Sequence, residues 1–102
     1  MRVKIVPENL KLNITSKIMN TKIIKQKLEN YFSKNDLIEV VDINNTGDHF
    51  SIIIVSNKFN NKSLIDRHKI IYKIFSEEIT KEIHALQIKT YTHSEWKNNN
   101  NQ

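Results

Sequence analysis

The single glycine of this chain, Gly47, stands inside Asn44-Asn45-Thr46-Gly47-Asp48, between two runs rich in β-branched residues. Glycine adopts positive φ without steric cost, and Asn and Asp favour turns, so this pentapeptide is the strongest turn signal in the sequence. The flanking segments, residues 37–43 and 49–56, then read as the two strands of a hairpin. The second carries apolar side chains on both faces, as expected of a central strand covered on at least one side by helices.

Helical patterns bracket the hairpin. Ile24, Leu28 and Phe32 recur four apart, with Lys22, Lys25, Lys27 and Glu29 outside the stripe, and predict a helix over residues 20–31 with Thr21 as its cap. Ser63 followed by Asp66 resembles a capping box. It opens a second helix whose stripe is Leu64, His68, Ile71, Phe75 and Ile79. Residues 83–91 read as a third strand, and Ser94-Glu95-Trp96 as a short closing segment, with a further short helix allowed there. A right-handed crossover places the third strand parallel to the second. The fold class is therefore α+β, in the order α-β-β-α-β: a small three-stranded mixed sheet with helices packed on one face.

Length supports a single domain, since 102 residues fall within one typical core. Residues 1–19 read as an N-terminal extension, with Pro7 interrupting any helix and a period-2 run over residues 10–14 that suits a short strand. The compact domain spans residues 20–96. Residues 97–102 are asparagine-rich and are expected to be disordered for want of apolar groups. No apolar run approaches the roughly 18 residues of a membrane span. With 16 Lys and Arg against 11 Asp and Glu, the net charge is +5. That balance draws a protein to phosphate backbones, anionic membranes or acidic partners without choosing among them.

The catalytic templates fail. The chain has no cysteine, which excludes a disulfide scaffold, a thiol nucleophile and a metal site built from its own thiolates. It also lacks a glycine-rich phosphate loop, a nucleophile elbow and a zinc-protease motif, and no serine belongs to a recognisable His/Asp set. Glu77 and Glu78 are adjacent on a helix and so face different directions. The sequence reads as a non-enzyme. Imidazole is then the only good borderline-soft metal ligand available. His68 falls on an apolar helix stripe and reads as a hydrogen-bonded core residue. His49 follows the glycine turn, and His93 sits in a polar segment and reads as solvated. Residue type alone leaves His84, at the start of the last strand, open between a structural hydrogen bond and a ligand.

Several motifs in order carry a resemblance: Val55-Ser56-x-x-Phe59, Arg67-His68-x-x-x-Tyr72, Ile83-His84-Ala85-Leu86-x-Ile88-x-Thr90-Tyr91-Thr92 and Glu95-Trp96. Together with Leu37-x-x-Val40-x-Asp42 and Asp48-His49-Phe50, they make residues 21–96 similar to the BolA family. The resemblance implies a fold like the class II KH domain. It also implies partnership with monothiol glutaredoxins carrying a Cys-Gly-Phe-Ser motif. In such pairs a two-iron, two-sulfur cluster is shared, with one thiolate from the glutaredoxin and one from glutathione, and this chain alone holds none. The resemblance assigns the cluster-binding histidine to His84 and gives His49 the role of a strand residue; His49 stays a candidate ligand on residue type and its place beside the glycine turn. It assigns the partner-binding face to Arg67, His68, Ala85, Leu86 and Lys89.

Two positions depart from the family pattern. Thr46 stands where short-loop members carry a ligating cysteine, and a hydroxyl is a poor ligand for cluster iron; the fourth ligand is then left open. Asn61 replaces a glycine, a change that asparagine's tolerance of the left-handed region accommodates. The resemblance makes the free chain a monomer without membrane attachment, and leaves its place open between cytoplasm and mitochondrion. The alternative reading is a KH-like nucleic-acid-binding transcriptional regulator, with Lys58, Lys62, Arg67 and Lys69 on phosphates. The Gly-x-x-Gly clamp of true KH domains is missing.

Overall fold

The computed structural model describes residues 19–79, 83 and 85–100. The short strand expected over residues 10–14, the boundary of the extension before Met19, and His84 itself lie outside the described residues.

The element order is α1 (Thr21–Glu29), β1 (Leu37–Asp42), β2 (His49–Val55), α2 (Leu64–Ile74), β3 (Ala85–Tyr91) and α3 (His93–Asn100), with single 3-10 turns at Ile43–Asn45 and Asn57–Phe59. The sheet order is β1-β2-β3. β1 runs antiparallel to β2, with Leu37 opposite Val55 and Asp42 opposite Phe50. β3 runs parallel to β2, with Ala85 opposite His49 and Tyr91 opposite Val55. The expected α+β architecture, the central place of β2 and the parallel return of β3 are all present.

The core lies between one face of this sheet and the helices. Ile24 and Leu28 of α1, Phe50, Ile52 and Ile54 of β2, and Ile71 of α2 are fully buried, joined by Phe59 and Phe75. Phe32 closes one end of this layer, its ring 5.5 Å from that of Phe59. Met19, 6% exposed, already belongs to the cluster.

Local chemistry fixes the element ends. Asn20, not Thr21, caps α1: its side-chain oxygen accepts from the Ile23 N–H at 2.9 Å. Asn is at least as good a cap as Thr, and its position one residue earlier gives it the N3 amide. Ser63 caps α2 as expected, accepting from the Asp66 N–H at 3.1 Å. Gly47 has φ +78°, and Asn61 has φ +63°, so both turn positions adopt the left-handed backbone that their residue types favour.

Two boundaries and one buried position differ from the sequence expectation. α2 ends at Ile74, and Phe75 caps it with an N–H to the Ile71 carbonyl. Leu64 is 61% exposed: it lies in the first turn, where the side chain pointing into the fold is that of Arg67. α3 runs through Asn100 rather than stopping near Trp96, so most of the stretch expected to be a disordered tail is helical. Its start explains this. Thr92 and Glu95 form a reciprocal capping box, with Glu95 N–H donating to Thr92 Oγ1 at 3.1 Å and Thr92 N–H donating to Glu95 Oε1 at 2.8 Å.

Candidate functional site

The residues singled out by sequence separate onto two ends of the sheet. One end holds the β1–β2 loop and the first residues of β2 and β3. Here Asn44, Asn45 and Gly47 all have positive φ. The loop is closed by Asp42, whose two carboxylate oxygens accept the Gly47 N–H at 3.1 and 3.0 Å. Thr46 is exposed and its hydroxyl is engaged within the loop, donating to Asp48 Oδ1 at 2.6 Å. The loop position therefore presents a hydroxyl held by a carboxylate, not a soft donor.

His49 opens β2 next to this loop. Its side chain is 45% exposed, and Nε2 lies 4.0 Å from Asp48 Oδ2. In the parallel ladder His49 stands opposite Ala85, and the Ala85 N–H donates to the Asp48 carbonyl at 3.2 Å. The residue that follows His84 is thus bound to the loop end of β2. Ala85 and Lys89 are exposed and Leu86 is half-buried; Leu86 packs against the core. Among the described residues no group of three or more His, Cys, Asp or Glu could hold a metal ion. With no cysteine in the chain, the donors present do not fit a cluster held by this chain's own thiolates.

The other end of the sheet is built on Arg67, the residue that both binding expectations share. Arg67 is 9% exposed, and its guanidinium is used inside the molecule. Nη1 and Nη2 donate to Glu95 Oε1 and Oε2 at 2.8 and 3.1 Å, and Nε donates to the Lys62 carbonyl at 3.0 Å. A buried, bidentate arginine spends most of its donors inside the molecule, so Arg67 ties α2 to α3 and to the residues ahead of α2. Its hydrogen bonds to Glu95 raise its pKa. Reciprocally, Arg67 and the Thr92 amide hold the Glu95 carboxyl at about 2.

His68 follows on α2. It is half-buried as expected, but its Nε2 is buried with no hydrogen-bond partner among the described residues, so the expected core hydrogen bond at that nitrogen is missing. His93 is not simply solvated: Nε2 lies 3.2 Å from Asp36 Oδ1, and its backbone N–H donates to Asn57 Oδ1 at 3.2 Å. Asp36 has a side chain only 7% exposed. Burial pushes its pKa up, but hydrogen bonds from the Ser33 amide, His93 and Ser56 outweigh that and leave it below the ordinary value. These contacts tie α3 to the α1–β1 connection. Sequence reasoning missed them; the Thr-x-x-Glu spacing of Thr92 and Glu95 was the one available signal.

Of the candidate phosphate contacts, Lys58, Lys62 and Lys69 are exposed. The Lys58 ammonium lies 4.9 Å from the centroid of the Tyr31 ring. α2 also exposes apolar side chains: Leu64 at 61%, Ile65 at 68% and Tyr72 at 44%.

A three-stranded mixed sheet with helices packed against it and an imidazole at a loop-bounded strand end defines a small α+β domain. The model of the BolA-like protein family matches residues 5–95, and the chain belongs to that family. The match begins ahead of residue 20, where sequence alone sets the domain boundary. The chain is 40% identical over 48 residues to the DNA-binding transcriptional regulator BolA of Escherichia coli, covering 47% of this chain and 46% of that protein. It spans about half the length of the first curated relatives it matches. Among solved structures, a Bol-like protein from Babesia bovis superposes with a TM-score of 0.70 at 29% identity, over 81% of this chain and 95% of that one. The BolA domain of SufE1 from Arabidopsis thaliana gives 0.61 at 32% identity, over 76% and 98%.

Proposed function

We propose that this chain is a non-enzymatic partner of a monothiol, Cys-Gly-Phe-Ser-type glutaredoxin, sharing a two-iron, two-sulfur cluster in the trafficking of iron-sulfur clusters or the sensing of iron. In this reading His84 is the ligand from this chain and His49 the candidate for a second. The glutaredoxin and glutathione bring the thiolates. The observation that carries the reading is the placement of His49: a half-exposed imidazole at a strand end, opposite Ala85, the residue next to His84 in the chain. A chain without thiolates can cap a cluster that another molecule presents. Neutral imidazole in place of thiolate removes negative charge, raises the reduction potential and makes ligation sensitive to protonation near neutral pH. The docking residues of this reading lie on both sides of β3: Ala85 and Lys89 on the open face of the sheet, Leu86 and the α2 residue His68 on the side of the helices. Arg67 supports them from within.

The test is to mix the chain with cluster-loaded monothiol glutaredoxin and glutathione and to record visible absorption and circular dichroism. Wild type should shift the spectrum, and His84→Ala should abolish the shift. His49→Ala should weaken it if His49 is the second ligand. An unchanged spectrum with His84→Ala overturns ligation by that residue.

A second reading is favoured by the name of the Escherichia coli relative, a DNA-binding transcriptional regulator. Here Lys58, Lys62 and Lys69 would contact phosphates, without Arg67. Binding to phosphates alone falls steeply with salt. Sequence-dependent binding that survives about 150 mM salt would promote this reading, and binding erased by salt would reduce it to net charge.

A further inference from the structure

Helices α1 and α2 pack on one face of the sheet, and α3 reaches the other face only at its Tyr91 end. Side chains alternate along a strand, so Phe50, Ile52 and Ile54 enter the core while Ser51, Ile53 and Val55 take the opposite face. The register extends these positions into rows across the three strands: Leu37, Val55 and Tyr91; then Glu39, Ile53 and Lys89; then Val41, Ser51 and Gln87. The first row is closed, since Val55 has no exposure and the Tyr91 ring meets that of Trp96 with centroids 5.1 Å apart and planes tilted by 60°. The next two are open. Glu39, Val41, Gln87 and Lys89 are exposed and Ile53 is half-buried; Val41 reaches 57%.

We propose that these open rows are a contact surface for a second copy of this chain, paired face to face about a twofold axis running along β2. The charges select that arrangement. A twofold axis along β2 exchanges the β1 and β3 sides, so Glu39 of each copy lies over Lys89 of the other, with Ile53 against Ile53 at the centre. A twofold axis across the strands would instead stack Glu39 on Glu39 and Lys89 on Lys89, and directly opposed like charges are destabilising. The surface is thus self-complementary in one orientation, as an isologous contact requires.

Its size sets its strength. Two rows about 7 Å apart along three strands about 4.8 Å apart present a face of about 200 Å², well short of the roughly 800 Å² per partner of a stable complex. The pair therefore forms at high protein concentration and dissociates on dilution, leaving the dilute chain monomeric. His49 lies on the same face, one side-chain step beyond Ser51. If His49 is a cluster ligand, a consequence that rests on the reading above, self-pairing and glutaredoxin binding compete.

Sedimentation equilibrium of the chain alone, at concentrations rising to about 1 mM, tests the pairing without any glutaredoxin. Wild type should move from monomer toward dimer mass. Glu39→Lys and Lys89→Glu should each weaken association by about tenfold or more, because every cross-pair becomes like-charged. An equimolar mixture of the two variants should recover at least the wild-type association, since one copy then carries two lysines and the other two glutamates at the paired positions. Circular dichroism confirms that each variant folds. Monomer mass at every concentration, swaps without effect, or a mixture that stays monomeric would each overturn the proposal. Failure of the glutaredoxin reading leaves this result untouched.

Discussion

The two ends of the sheet contrast in how their polar groups are used. At the α3 end, Arg67, Glu95 and Thr92 satisfy one another through four hydrogen bonds between 2.8 and 3.1 Å, and Asp36 with His93 adds a further contact. At the loop end, left-handed residues shape the chain, the Thr46 hydroxyl is held by Asp48 on the surface, and the His49 ring is half-exposed beside the same carboxylate. Charged groups that close on each other hold a fold together, and groups left accessible at a strand end are available to a partner. The contrast explains how an arginine of the sequence motif can serve the fold, its guanidinium closing on Glu95.

The sharpest way to break this contrast is Arg67→Ala. It removes the bidentate contact to Glu95 and the hydrogen bond to the Lys62 carbonyl. Losing several partly buried, charge-assisted bonds should cost about 2–3 kcal/mol. Urea denaturation should show this as a lower midpoint, and hydrogen exchange should show α3 amides losing protection first. If instead stability is unchanged and only partner binding is lost, Arg67 belongs to the docking face after all.

Much of the fold was legible because the signals are local. Gly47 marked the turn through its φ requirement, and Ile24, Leu28 and Phe32 marked a buried helix stripe through spacing. The α3 end was illegible for the opposite reason: Arg67 and Glu95 are 28 residues apart, and Asp36 and His93 are 57 apart, so no spacing rule pairs them. Leu64 shows a subtler limit. Periodicity tells which side of a helix faces inward, but not how far along its axis the core extends. The loop end was half legible: residue type singled out His49, and only the strand register placed it opposite Ala85.

The loop end is probed next. A Cβ at Gly47 would find its nearest neighbour, the Met19 carbonyl oxygen, at 3.4 Å, so there is room for it. The obstacle is φ +78°. Gly47→Ala should therefore cost about 1–2 kcal/mol through backbone strain, and Gly47→Asn should cost less than Ala because asparagine visits this region more readily. Thermal denaturation checks the order. Equal losses for the two would mean that packing rather than φ governs the turn. At the α3 end, Thr92→Ala removes the cap that accepts the Glu95 amide and should cost about 1 kcal/mol. Thr92→Ser should retain most of it.

The smallest effect distinguishes the ends by pH. Glu95 is held at about 2, below the ordinary 4.5, and Asp36 is shifted in the same direction. Between those values the unfolded chain binds protons that the folded chain does not, so the unfolded state gains as pH falls. The stabilisation is fully present above about pH 5 and is lost progressively as the pH approaches 2. Glu95 has a side chain 47% exposed, so solvent screening keeps its share to under about 1 kcal/mol. Glu95→Gln should lower the plateau slightly and flatten the acid limb in urea denaturation curves taken from pH 6 downward. Asp36→Asn should do the same independently, because the two carboxylates sit in separate contacts. An acid limb as steep in the double variant as in wild type would move the proton-linked stability away from the α3 end, and with it the claim that the charges of this end hold the fold together.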